Sequence, residues 1–243
     1  MATTNGKLII NLQGITFGYP GRGLILDKLD LKFHRGDKVG LLGPNGSGKT
    51  TLFHIIMGLL KPQSGKMEIF GKGINGNRDF RQTCKKIGLL FQDADDQLFS
   101  PTVLEDVAFG PLNLNKSKEE ALEIAQKTLT FLGLKGFENR VTHKLSGGEK
   151  RLVSLATVLA MEPEVLLLDE PSNGLDDKTK AKLANVLNNL DLSYILISHE
   201  SSFMEETTDS IYLMENGKIF WHNPVHHHAH IHPHSHHEHT HHH

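Results

Sequence analysis

The chain has 243 residues, 38% of them hydrophobic and 22% charged, a composition close to that of soluble globular domains, which excludes a wholly disordered, collagen-like or coiled-coil chain. The formal net charge of −2 argues against a broad nucleic-acid-binding face, so no nucleic-acid partner is expected, and a single cysteine, Cys84, leaves no internal disulfide and no thiolate zinc site. No apolar run approaches the ~20 residues of a membrane span, and Met-Ala-Thr-Thr-Asn at the start lacks the basic and apolar stretches of a signal peptide, so the chain is expected to stay in the cytoplasm.

Leu8–Phe17 and Leu29–Phe33 read as strands around a turn at Tyr19-Pro20-Gly21, and Lys38–Leu42 is a short apolar strand that runs into glycines. Thr51–Leu60 then reads as a helix stopped before Pro62. Met67–Phe70 and Lys86–Phe91 are further strands, and the alternation is that of an α/β sheet. From about Gln97 the character changes, with Pro101, Pro111 and a helix opened by the capping box of Ser117 and Glu120. Leu122, Ala125, Leu129 and Leu132 follow at helical spacing, which predicts a small helical insertion over about residues 97–150. Val165–Leu168 is a continuous apolar run suited to a central parallel strand, followed by a helix at Thr179–Leu190 and a strand at Tyr194–Ile197. Asn216-Gly217 marks a hairpin turn between Ile211–Met214 and Lys218–Trp221. One domain over residues 1–221 and a separate tail over 222–243 are expected.

Gly43-Pro44-Asn45-Gly46-Ser47-Gly48-Lys49-Thr50 fits the phosphate-loop pattern and sits between a strand and a helix, as that pattern requires. Its glycines let successive backbone N–H groups turn inward on a β-phosphate, and the helix that continues through Thr51 offers its positive end. Lys49 can reach the β- and γ-phosphates, and the Thr50 hydroxyl can ligate Mg²⁺. A glycine turn with a chance lysine is the plain alternative, and a second nucleotide-site element decides between them. Val165-Leu166-Leu167-Leu168-Asp169-Glu170 is such an element, because an apolar strand delivers Asp169 to the end where ligands gather in open α/β sheets. Asp169 can hold the metal's water shell, and Glu170 can accept a proton from an attacking water. Leu145-Ser146-Gly147-Gly148-Glu149 contains a capping box, yet a cap needs no pair of glycines, which cost backbone entropy there. A serine and two glycines at a helix start make an anion-binding end and imply a second phosphate contact.

With the phosphate loop, Gln92, the Leu145–Glu149 signature, Asp169-Glu170, Ser172-Asn173-Gly174-Leu175-Asp176 and His199 in this order, the chain resembles the ATP-binding-cassette ATPases from about Leu8 to Trp221. The resemblance implies an α/β fold with a mixed, largely parallel sheet around the phosphate loop, an antiparallel β-subdomain and a helical insertion. It also implies ATP hydrolysis with Mg²⁺ held by Thr50, Gln92 and Asp169. Tyr19 would stack on adenine, Gln92 would sense the metal and the attacking water, and His199 would contact the γ-phosphate beside Glu170. Ser146, Gly147, Gly148 and Glu149 would contact ATP bound to a second copy of the chain, with Asp176 across that interface. Taken singly, Tyr19 is a turn aromatic, His199 a core histidine, Gln92 a strand-end hydrogen bonder and Asp176 a helix cap; their joint occurrence outweighs those readings. Two positions depart from the pattern. Ser172 stands where threonine is common, and Glu149 stands where glutamine is commonest, which puts the local charge balance in question.

Gln92-Asp93-Ala94-Asp95-Asp96-Gln97-Leu98-Phe99, followed by Thr102–Pro111, resembles the ATPase of energy-coupling-factor importers, nearest to the nickel/cobalt uptake type. The resemblance implies paired ATPase subunits at the cytoplasmic face of the cell membrane, under a membrane scaffold (T) subunit and a substrate-capture (S) subunit. It makes this segment the groove for the scaffold's coupling helices; the residues alone read as a solvated acidic loop. Of the 17 histidines, 13 lie between His222 and His243. A purification tag, a solvated low-complexity end and weak Ni²⁺ or Co²⁺ binding compete as explanations. Interruptions such as Ala229, Pro233 and Glu238 are unlike a plain tag, and neutral imidazoles suit nickel and cobalt, which favours metal buffering. The expected function is the ATP-hydrolysing motor of a nickel or cobalt importer. Its rivals are an importer ATPase for another micronutrient, a soluble cassette without a membrane partner, and a metal store on a degenerate cassette, which intact Lys49, Asp169 and Glu170 disfavour.

Overall fold

The computed structural model describes residues 6–222, in which two kinds of hydrophobic pattern build two sheets. β1 (Leu8–Gly18) and β2 (Leu24–His34) pair antiparallel; along β2 buried Leu29, Leu31 and Phe33 alternate with exposed Asp30 and Lys32, as in a sheet with one wet face. β2 begins at Leu24 rather than at Leu29 because Lys28 adopts φ 50° and the pairing passes through a bulge instead of ending. β3 (Lys38–Leu42) leads through the glycine turn into α1 (Lys49–Ile56). Gly58, at φ 71° and with the Phe80 ring packed where a side chain would stand, ends that helix before Leu60, so a left-handed glycine acts ahead of Pro62. β4 (Ser64–Ile69) and β5 (Lys72–Gly73) complete an antiparallel sheet of order β2-β1-β4-β5.

After α2 (Asn77–Thr83) comes β6 (Ile87–Leu90), buried at every position. Three helices follow, α3 (Val103–Asn113), α4 (Lys118–Phe131) and α5 (Gly147–Leu159), opened by the reciprocal caps Thr102/Glu105, Ser117/Glu120 and Ser146/Glu149. α3 lies within the predicted helical insertion, where the sequence singles out only the helix from Ser117. Pro101 precedes the cap and Pro111 falls in the last turn, so neither stops the helix. β7 (Val165–Asp169), α6 (Asp177–Asn189), β8 (Ser193–Ile197), α7 (Ser201–Thr207), β9 (Ser210–Glu215) and β10 (Lys218–His222) finish the chain's described part.

The second sheet has the order β10-β9-β3-β8-β7-β6; β9 through β6 run parallel, and β10 is antiparallel at the edge. β7 and β8 are buried throughout, and along β7 Val165 and Leu167 face one apolar cluster while Leu166 and Leu168 face the other. Both faces of this sheet are therefore covered, which is why these strands read as unbroken apolar runs. Asn216 (φ 50°) and Gly217 (φ 72°) close the β9–β10 hairpin in the conformations of a type I′ turn. The Gly217 carbonyl accepts the Asp27 N–H at 3.0 Å, so the same turn fastens the second sheet to β2. Parallel strands end on a common side, and the ends of β3, β6, β7 and β8 point at one place. Among the described residues no helix is long and apolar enough to cross a membrane.

A Cβ at Gly88 in β6 would stand 2.2 Å from Val158 Cγ1 and 3.0 Å from Leu166 Cδ2. Valine is stiff at χ1 and cannot swing aside. Gly88→Ala should therefore lower the unfolding free energy in urea by about 1–3 kcal/mol. Gly40→Ala, which meets mainly the flexible Met204 side chain, should cost less. A smaller loss at Gly88 than at Gly40 would mean that α5 slides freely on the sheet.

Candidate active site

The converging strand ends enclose a cleft of about 400 Å³. From the glycine turn it is lined by Asn45, Gly46, Gly48, Lys49, Thr50 and Thr51, and from elsewhere by Tyr19, Gln92, Asp169, Glu170 and His199. Gly46 (φ 78°) and Gly48 (φ 104°) hold left-handed conformations, and a Cβ at Gly43 would come within 2.3 Å of the Met214 carbonyl oxygen. Gly48 is the N-cap of α1 and brings no side-chain cap, so the opening N–H groups of that helix remain available to an anion. Lys49 Nζ donates to the carbonyls of Gly43 (2.7 Å) and Pro44 (3.1 Å), the two loop residues that support it. Burial pushes its ammonium below the usual lysine range, while Glu170 and Asp169 push it back up. Tyr19 lies with its hydroxyl 3.3 Å from Thr51 Oγ1 and its ring edge-on to Phe17, centroids 5.0 Å apart.

The Thr50 hydroxyl donates to Asp169 Oδ2 at 2.7 Å. Burial holds the Asp169 carboxyl above the ordinary carboxylate range, against the pull of the Thr50 hydroxyl, His54, Lys49 and Arg151. Glu170 sits in the left-handed region at φ 49°, a strained position for a residue with a side chain. Its backbone is fixed from both sides, N–H to the Ile197 carbonyl at 3.0 Å and carbonyl from Arg151 at 2.8 Å and from the Asn173 N–H at 3.2 Å. Oε2 accepts the His199 N–H at 3.3 Å; Oε1 is buried without a hydrogen bond, although His199 Nε2 lies 3.1 Å away. Burial raises this carboxyl too, opposed chiefly by the charge and N–H of His199. Ser47 Oγ is a second buried oxygen in the site without a partner. The Thr50 hydroxyl, the Asp169 carboxylate and the Gln92 side chain at the rim are hard oxygen donors, the set that suits Mg²⁺ with positions left for phosphate oxygens.

Sequence reasoning misses Arg151. This buried guanidinium donates to the carbonyls of Phe91 (2.6 Å), Gln92 (2.7 Å) and Glu170 (2.8 Å), tying α5 to the segment after β6 and to the loop after β7. The available signal is an arginine at the head of the mostly apolar helix run Leu152–Ala160, broken only by Ser154 and Thr157. Gln97 works beside it, accepting the Phe91 N–H (3.2 Å) and donating to Ser154 O and Thr157 Oγ1 (both 2.7 Å). Glu200, next to His199, receives the Ser172 hydroxyl (3.1 Å) and Lys180 Nζ (2.6 Å).

Ser146, Gly147, Gly148, Glu149 and Asp176 do not line this cleft and gather on another face. Asp176 caps α6 by accepting the Thr179 N–H (3.0 Å) and hydroxyl (2.7 Å), and a Cβ at Gly148 would stand 3.4 Å from the Thr179 methyl. Ser146 and Gly147 are exposed, and a Cβ at Gly147 would meet nothing within 4 Å, so packing within one copy does not account for that glycine.

A family model described as ABC transporter matches residues 26–173. A provisionally named ABC transporter ATP-binding protein of Nitratidesulfovibrio vulgaris is 49% identical over 232 residues, which is 94% of this chain and 85% of that protein. The energy-coupling factor transporter ATP-binding protein EcfA of Methanocaldococcus jannaschii is 42% identical over 215 residues, 87% of this chain and 77% of its own. Among solved structures, cbiO1 of Clostridium perfringens, part of the ABC transporter complex cbiONQ, superposes with a TM-score of 0.79 at 32% identity, covering 88% of this chain and 87% of that one.

Because burial raises the Asp169 carboxyl, the folded chain holds that proton more tightly than the unfolded chain does. The stability this gives is present below the ordinary carboxylate value of about 4 and is lost as pH rises through the raised one. Asp169→Asn abolishes the titration and keeps an acceptor for Thr50. Without nucleotide the variant should melt higher than the parent near neutral pH, with the gap closing toward about pH 4, and Mg-ATP should give it little of the parent's shift. A variant that melts lower at every pH would mean that attraction to Lys49 and Arg151 outweighs desolvation.

Proposed function

This chain belongs to the ABC transporter family of ATPases, and we propose that it is the motor subunit of an energy-coupling-factor importer, working at the cytoplasmic face of the membrane with nickel or cobalt as cargo. The observation that carries the ATPase reading is the meeting of Lys49, the Thr50–Asp169 pair and the unpaired Glu170 oxygen in one cleft. ATP would lie with adenine against Tyr19 and its phosphates along the loop N–H groups, where Lys49 would exchange the Gly43 and Pro44 carbonyls for phosphate oxygens. Mg²⁺ held by Thr50, Asp169 and Gln92 would neutralise charge on the β- and γ-oxygens. Glu170 Oε1 would take the proton of the attacking water; its carboxyl, raised by burial, lies closer to neutral than a solvated glutamate and is better matched to that transfer. His199, whose Nε2 lies 3.1 Å from that oxygen, would contact the γ-phosphate.

A second copy of the chain is the reading that accounts for the separate face of Ser146, Gly147, Gly148, Glu149 and Asp176. An exposed helix N-terminus with a glycine that nothing in its own copy requires fits a phosphate brought by a neighbour. In a head-to-tail pair each signature would cover the other copy's cleft. Support for the scaffold (T) and substrate-capture (S) partners comes from the similarity to EcfA and cbiO1 and from a groove of about 330 Å³ beside β6 and α3. Phe99 and Phe109 border it, 66% and 46% exposed, with ring centroids 4.7 Å apart in a T-shaped pair. Two adjoining aromatic rings left in water support an interaction surface there. The histidines beyond β10 lie outside the described residues; the support for nickel or cobalt, and for weak buffering of either ion there, is their imidazole chemistry.

Glu170→Gln should keep ATP affinity within about threefold while turnover of the purified protein falls by about 10²–10⁴. Lys49→Ala should do the reverse first, weakening nucleotide binding in a fluorescent-ATP titration. Near-parental turnover in Glu170→Gln would sink the assignment of the base. In membranes holding the complete complex, Phe99→Asp should release the subunit or uncouple ATP hydrolysis from uptake of radiolabelled nickel or cobalt. Unchanged association and uptake would place the scaffold contact elsewhere.

A further inference from the structure

Glu149 brings a negative charge to the place where a phosphate should dock. Its Oε2 accepts the Ser146 N–H at 2.8 Å and the Ser146 hydroxyl at 2.9 Å, so the carboxylate occupies the positive end of α5. A phosphate approaching Ser146 and Gly148 would meet that carboxylate. Arg140 answers it: Nη1 donates to Glu149 Oε1 at 2.7 Å and Nη2 lies 3.5 Å from Oε2. The guanidinium is itself set by the Phe137 ring, 4.2 Å away, and the Arg140 carbonyl accepts the N–H of Val103 at 3.1 Å, the first residue of α3. Lys150, next along the helix, is already engaged by Asp95 at 2.5 Å. With Arg140 in place the pair sums to zero and the helix end keeps its pull on an anion; the Glu149 carboxyl is held below its ordinary value first of all by Arg140.

We propose that Arg140 is the counter-charge that makes glutamate workable in the signature, a positioning residue without which Glu149 repels the phosphate of ATP brought by a second copy. This rests on the two-copy reading above. One uncompensated charge about 6 Å from a phosphate, at an effective dielectric constant of about 40, corresponds to about tenfold in an equilibrium constant.

The test uses the full chain in a Glu170→Gln background, with ATP-driven dimerisation followed by light scattering and ATP binding to the monomer followed by fluorescence. Arg140→Ala should raise the ATP needed for half-dimerisation about tenfold and leave monomer binding unchanged. Adding Glu149→Gln should bring dimerisation back to within about threefold of the background, because the charge to be neutralised is gone. The Arg140→Ala defect should also shrink at about 0.5 M salt, where exposed charges are screened; loss of mere packing has no such dependence. Arg140→Lys, which keeps the charge, guards against a folding defect and should retain most of the response. Dimerisation by Arg140→Ala equal to that of the background, a defect that Glu149→Gln does not relieve, or a folded Arg140→Lys as impaired as the alanine variant would each overturn the proposal. A background protein that stays monomeric in saturating ATP would instead overturn the two-copy reading, and this proposal with it.

Discussion

Two carboxylates buried at the end of a central strand set the conditions for everything around them. Asp169 and Glu170 are both driven above the ordinary carboxylate range by burial, which is to say that the fold without ligand would be more at ease with them neutral. The surroundings reduce that cost only in part. Thr50 supplies Asp169 with one hydrogen bond and Lys49 and Arg151 supply it with charge at a distance, while His199 chiefly, and Lys49, oppose the shift at Glu170, whose Oε1 still accepts no hydrogen bond. Lys49 is under the mirror-image strain, its ammonium depressed by burial and sustained by the same two acids. A magnesium–phosphate group bound there would relieve both sides at once, giving the acids a cation and the lysine an anion. Site and fold are thus at odds until the nucleotide arrives, as expected where activity is bought with stability.

The same region explains how separate elements keep register. Arg151 does not neutralise either acid by contact; it holds three backbone carbonyls, from Phe91, Gln92 and Glu170. The left-handed turn at Glu170, costly for a side-chain-bearing residue, is maintained because its N–H and its carbonyl are each claimed from a different element. Gln97 then links the Phe91 end to Ser154 and Thr157 on the same helix. A contiguous hydrogen-bonded path therefore runs from the edge of the Phe99 groove through α5 to the backbone of Glu170.

How far the sequence discloses this arrangement depends on what kind of atom does the work. The parallel strands were legible from Val165–Leu168 and Lys38–Leu42, because strands covered on both faces must be apolar throughout. The glycine turn was legible because three left-handed or crowded positions leave few other residues possible. Periodicity carries α1 on to Leu60 because it does not register a left-handed stop at Gly58, and Pro111 hides α3 because proline looks the same in a last turn as in a break. Arg151 was invisible for a different reason. Its partners are carbonyl groups, which every residue carries, so no partner residue type announces it. Arg140 is similar: its pairing with Glu149 spans a loop whose shape only the fold supplies.

The geometry also limits how a pull on the groove could reach the cleft. Asp106 holds the Phe99 and Ser100 N–H groups at 3.1 and 2.8 Å, so the exposed ring at 99 is fastened to α3. The first residue of α3, Val103, donates to the Arg140 carbonyl, and Thr102 pairs as an isolated bridge with Val141. Five residues after Val141 the chain reaches Ser146, with the Leu145 N–H returned to Thr142 on the way. Phe99, Arg140 and Ser146 thus stand on one hydrogen-bonded stretch, while Gln97, two residues before Phe99, leads through the Phe91 N–H and α5 to Arg151, which holds the Gln92 and Glu170 carbonyls at the cleft. A displacement applied at the aromatic pair therefore has one hydrogen-bonded route to the signature face and a second to the backbone of Glu170. In the proposed pair of copies, the first route would bear on the contact between Ser146 and the neighbour's phosphate, and the second on the carboxylate proposed to activate water. Both routes meet on α5, which carries the Ser146 cap and Arg151 alike, so a pull on the groove would bear on docking and on hydrolysis together.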